Sequence, residues 1–170
     1  QDVFAYNYKY GLSKRQNKFP YAATLSGFTN NNLTMSQVAG PYGGSNALRL
    51  IPDDTSSQVY RMFGTCTDSG DDEYIVMYVK NYGTAYDHVA FKYTGGSGGN
   101  LNIDTGEIGI FNSGMTLISN RVGGDWRRVA LRMDSESSGV LQIGPNDETS
   151  SVEGAGSPPS TTDGVDVFIG

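Results

Sequence analysis

Cysteine is almost missing from this chain: Cys66 stands alone among 170 residues. A single thiol excludes an internal disulfide and any zinc site built from several thiolates, and it is expected to be inert and partly buried. Histidine and tryptophan are equally scarce, with His88 and Trp126 the single examples. A metal-binding histidine pair is therefore impossible, and no G-x-S-x-G elbow accompanies His88. No apolar run approaches the roughly 18 residues that a membrane-crossing helix needs, and no signal-peptide pattern is present, so membrane insertion is not expected. Positive charge is also in short supply. Twelve Lys and Arg face 18 Asp and Glu, for a net charge of −6, and such a field repels nucleic acid and anionic membranes. The acidic excess also keeps a surface soluble, so it does not by itself specify a cationic ligand.

What the chain has in abundance is glycine, 23 residues, with 11 Tyr and 7 Phe. That composition suits many short strands joined by tight turns. A chain of this length buries about 70% of its unfolded surface, enough for one core without staples. Turn-rich stretches precede strand-like ones: "AGPYGGSN" before "ALRLI", "TDSGDD" before "EYIVMYVK", "YTGGSGGN" before "LNIDTGEIGIF". Alternation then sorts side chains onto faces. Ile75, Met77 and Val79 share one face and are assigned to the core, opposite Tyr74, Val76, Tyr78 and Lys80. Val129, Leu131 and Met133 are likewise assigned inward, with Arg128, Ala130 and Arg132 outward. The stretch 148–164, with Pro158 and Pro159 and almost no large apolar residue, reads as a surface loop leading into a last strand, "VDVFIG". The start at Gln1 and the end just behind that strand read as part of a longer protein. The expected fold is all-β, an antiparallel β-sandwich with helix limited to a turn or two.

The ordered series "GPYGGSNALRLIPDD", "DEYIVMYVKN", "GNLNIDTGEIG", "GGDWRRVALRM" and "GVDVFIG" resembles a jelly-roll module of bacteriophage tail fibres, tailspikes and other virion surface proteins. Ala47, Tyr78 to Lys80, Asp104 to Gly106, and Trp126 with Arg128 fall at matching places. The resemblance covers residues 39–170, taken as the jelly-roll domain, and leaves 1–38 as an N-terminal segment packed on or leading into it. It implies a concanavalin-like or carbohydrate-binding-module-like sandwich, a place on the virion surface, carbohydrate and neighbouring virion proteins as partners, and a homo-oligomer, a trimer in a fibre or spike.

Sugar recognition needs aromatic planes and forked donors on one exposed surface. Tyr74 and Tyr78 on one strand with Arg128 and Arg132 on another meet that need if the two strands are sheet neighbours; otherwise they are ordinary strand formers covering a sheet. The loops 81–87 and 148–164 would form the rims. Trp126 reads first as a packed anchor at a strand start, and second as a stacking platform. His88 is read as a surface strand residue, with Asp87 turned to the opposite face. Most carboxylates sit in polar turns, where solvation explains them, so no catalytic residue is assigned. "TDSGDDE" offers Asp71 and Asp72 as weak Ca²⁺ candidates, and Asp166 is another, although the EF-hand ligand spacing is absent. The leading expectation is a non-catalytic virion module, in a fibre, spike or capsid decoration, that binds glycans. The alternatives are a glycan-degrading enzyme of sandwich fold, a binding module excised from one, or a purely structural docking domain.

Overall fold

The computed structural model describes residues 28–53, 61–66, 73–93, 98–111, 114–133, 139–147 and 159–169. Among these, all regular structure is strand, as the glycine- and tyrosine-rich composition led one to expect, and no helix is long and apolar enough to cross a membrane. Twelve strands follow in chain order: β1 (Thr29–Asn31), β2 (Leu33–Val38), β3 (Ala47–Pro52), β4 (Arg61–Cys66), β5 (Glu73–Tyr82), β6 (His88–Tyr93), β7 (Gly98–Asn102), β8 (Ile108–Phe111), β9 (Met115–Gly123), β10 (Trp126–Met133), β11 (Gly139–Asn146) and β12 (Gly164–Ile169). They form two six-stranded sheets, β1-β4-β11-β6-β7-β8 and β2-β3-β12-β5-β10-β9, and every pairing is antiparallel. From β3 to β6 the chain switches sheet at every strand, and the inner orders β3-β12-β5-β10 and β4-β11-β6-β7 are those of a jelly roll, two interleaved Greek keys.

The core lies between the sheets. Ile75, Met77, Val79, Val129 and Leu131 are buried there, on the face that alternation assigned to them. Opposite them the first sheet contributes Val89, Phe91, Tyr93, Leu101, Leu141 and Ile143. Each fully buried side chain of this size contributes about 1.5–3 kcal/mol. The backbone of Met133 is in register with Met115 and Glu73, while its side chain lies outside the described residues.

Part of the N-terminal segment joins the sheets. β2 pairs with β3 from Leu33↔Pro52 to Val38↔Ala47, and Leu33 enters the core with Met35 packed against it. Residues 33–38 are thus packed on the sandwich as the strand beside β3. Ahead of it, residues 29–31 pair with β4, whereas 1–27 lie outside the described residues.

Candidate functional site

Strands β5 and β10 are sheet neighbours, and their register sets Tyr78 directly opposite Arg128 and Tyr74 opposite Arg132. The condition that the sequence left open is thus met in the backbone. Beyond β5, Phe168 of β12 lies opposite Tyr78, and beyond β10, Arg121 of β9 lies opposite Arg128. One row across four strands therefore reads Arg121, Arg128, Tyr78, Phe168. Tyr78, Arg128 and Arg132 are half-buried. Tyr74 is placed by register alone, its side chain being outside the described residues.

A residue that sequence reasoning passed over completes this face. The turn between β2 and β3 is held by a bond from Gly40 N to Gly44 O at 3.0 Å and by a second from Gly43 N to Gly40 O at 3.1 Å. Gly43 and Gly44 adopt φ of 82° and 75°, a region that side chains rarely occupy. This fold of the turn carries Tyr42 over the sheet. Its ring meets Tyr78 edge-on at 5.4 Å and Phe168 edge-on at 5.9 Å, and Tyr78 and Phe168 are themselves 5.9 Å apart. The hydroxyl of Tyr42 donates to that of Tyr78. Tyr42 nonetheless remains 71% exposed, a large aromatic surface in water above two others. The hydrogen bond with Tyr78, with burial second, holds the Tyr42 hydroxyl above the ordinary tyrosine range, and the positive charge of Arg128 opposes that rise. The signal was present in the sequence as a lone tyrosine between Pro41 and Gly43, but nothing local says which way such a turn folds.

One row along, Lys80, Asp166, Arg49 and Ser36 stand side by side on β5, β12, β3 and β2. Arg49 grips Asp166 with two bonds, Nε to Oδ1 at 2.8 Å and Nη2 to Oδ2 at 3.0 Å, and lies 3.4 Å from the ring centroid of Tyr82. The bond to Asp166 raises the arginine's pKa. Asp166 is 3% exposed. Both carboxylate oxygens of Asp166, the weak metal candidate, serve a guanidinium in the fork geometry. Asp71 and Asp72 lie outside the described residues. Among the described residues no cluster of three metal-ligating side chains occurs.

Trp126 is 8% exposed. Its side chain is withdrawn from solvent, which suits the packed reading. The neighbouring Arg127, on the inward-facing parity of β10, is buried and donates to the carbonyls of Ile103 and Asp104, tying β10 to the turn after β7. Burial pulls its pKa down, and the charge of Asp104 works against this.

The expected rims are joined to each other. Asp163 Oδ2 accepts the amides of Thr84 at 2.8 Å and Ala85 at 3.0 Å, and the Tyr86 hydroxyl donates to Ser160 O at 2.7 Å. Residues 148–158 of the second rim lie outside the described residues. His88 corrects another expectation. It is 4% exposed, and its Nδ1 lies 2.5 Å from Asp87 Oδ1. Asp87 precedes β6 rather than extending it, so its carboxylate is free to turn back to the ring instead of alternating away from it.

No protein-family model and no curated protein matches the chain. Among solved structures, a CBM35 from Paenibacillus barcinonensis, a carbohydrate-binding module, matches with a TM-score of 0.40 at 11% identity, over 91% of this chain and 98% of that one. A likeness of that degree assigns no ligand.

Proposed function

We propose that this chain is a non-catalytic module that binds glycans on the outward face of the β2-β3-β12-β5-β10-β9 sheet. The observation that carries the reading is Tyr42, 71% exposed above Tyr78 and Phe168, with Arg128 in register beside Tyr78. An aromatic plane open to water can take the C–H face of a sugar ring, and a guanidinium beside it supplies paired donors to hydroxyl or carboxylate oxygens. The ordered motifs from "GPYGGSN" to "GVDVFIG" support the further reading that the module is displayed in several copies on a virion surface, in a trimer if it belongs to a fibre or spike. Repetition there raises the avidity of a shallow site by about 10² to 10⁴.

The test is a glycan array probed with wild type, Tyr42→Ala and Tyr78→Ala. Tyr42 is mostly in water, so its truncation leaves the melting temperature nearly unchanged. A bound glycan whose affinity falls at least about tenfold in Tyr42→Ala supports the face. Unchanged binding by both folded variants places the ligand elsewhere.

A further inference from the structure

We propose that the ligand of this face is a linear oligosaccharide with an extended, β-linked chain, laid along β5 from the platform of Tyr42 and Tyr78 to a second aromatic station at Tyr82. This rests on the glycan-binding reading above. Alternation puts Tyr78, Lys80 and Tyr82 on the same side of β5. Tyr82 is 36% exposed and stands four residues along the strand from Tyr78, roughly 13 Å, a span that no single sugar ring covers. A ligand that touches both rings is therefore a chain of several sugars.

The second station is fixed by its surroundings. Gly164 of β12 lies opposite Tyr82 and brings no side chain, so Arg49 of β3 reaches across and lays its guanidinium 3.4 Å from the centre of the ring. The fork to Asp166 engages Nε and Nη2, and a guanidinium carries further N–H donors besides those. With 25% of its side chain exposed, Arg49 can donate to the hydroxyls of a sugar at this ring. β5 ends directly after Tyr82, at Gly83 with φ of 83°, and the next two amides are held by Asp163. Between the stations the charges cancel. Lys80 pairs with Asp125 and Arg49 with Asp166, so this stretch offers polar groups to hydroxyls and no net charge to a counter-ion. An extended β-linked chain presents ring faces and hydroxyl edges along a straight line, as β5 presents aromatic, polar and aromatic side chains in turn, whereas an α-linked glucan coils away from a strand.

Calorimetric titration with ladders of cello-, xylo- and manno-oligosaccharides, from the single sugar to the hexamer, separates this inference from the reading beneath it, with malto-oligosaccharides as the coiled control. In at least one β-linked ladder the affinity should rise by at least about tenfold over the lengths at which a chain first spans both stations, and the malto ladder should show no such step. Tyr82→Ala should remove the step and leave the shorter members within about twofold of their wild-type affinity, while Tyr82→Phe keeps the ring and should keep the step. Tyr42→Ala should weaken every length. If a melting curve shows Tyr82→Ala to be unfolded, Tyr82→Leu fills the same space without a flat face and should lose the step. A step undiminished in the folded Ala or Leu variant would overturn the second station. Binding that depends on Tyr42 but is independent of chain length, or confined to branched or α-linked glycans, would overturn the linear assignment and leave glycan binding standing. No binding to any ladder or array glycan would overturn both.

Discussion

Removing Asp166 tests how the outward face is held. The carboxylate is buried and takes both nitrogens of a forked arginine at 2.8 and 3.0 Å. Breaking one side of a fully buried ion pair costs about 3–5 kcal/mol, because the remaining charge is stranded. Arg49, however, keeps 25% of its side chain exposed, so its guanidinium can recover water, and its contact with Tyr82 survives. Solvent screening thus lowers the expected cost of Asp166→Ala to about 2–3 kcal/mol. For a domain of this size that is a fall in Tm of roughly 4–12 °C. The assay is denaturant unfolding at pH 7 of wild type, Asp166→Ala, Arg49→Met and the double variant. The double variant should lose clearly less than the two single losses added together, since it strands no charge. A single-variant cost below about 1 kcal/mol, or losses that simply add, would show that the pair does not hold β3 to β12 and that the reasoning is wrong.

Three other outcomes are expected. A Cβ on Gly164 would lie 1.9 Å from Leu50 O and 2.9 Å from its carbonyl carbon, both backbone atoms of the paired strand, so Gly164→Ala should destabilise by more than the usual overpacking cost of about 1–3 kcal/mol, read by thermal melting; a neutral result would mean the strand end yields easily. The bonds from the Thr84 and Ala85 amides hold the Asp163 carboxyl below its ordinary 3.8; a depressed folded pKa contributes stability that is complete above the unfolded value and is lost as pH falls through the folded one. Exchange of those two amides should therefore speed up below about pH 3.8 in wild type, and Asp163→Asn should lack that acid-induced acceleration, once intrinsic exchange is subtracted. Tyr86→Phe removes the 2.7 Å bond to Ser160 O from a buried ring and should cost about 1 kcal/mol in chemical denaturation, with the loss absent if a water replaces the hydroxyl.

Sequence alone determined which side of a strand each residue occupies. Alternation is a local property with a period of two, so the inward set of Ile75, Met77 and Val79 and the outward set of Tyr78, Arg128 and Arg132 could be read without knowing any partner strand. Glycine-rich punctuation likewise marked the turns that separate the strands. What the tertiary structure decided is everything that joins residues distant in the chain. Arg128 meets Tyr78 only because β10 pairs with β5 in one register out of several, and Arg49 meets Asp166 across 117 positions. Burial of polar residues was illegible for the same reason: His88 and Arg127 carry polar or charged groups that statistics place in water, and it is packing against other strands that buries them, with Arg127 bonded to the distant carbonyls of Ile103 and Asp104 and His88 beside its own neighbour Asp87. Tyr42 was hidden differently. Glycines free a turn to take several conformations, so the sequence shows that the chain bends at 40–44 while only packing against Tyr78 and Phe168 selects the bend that lays the ring over the sheet.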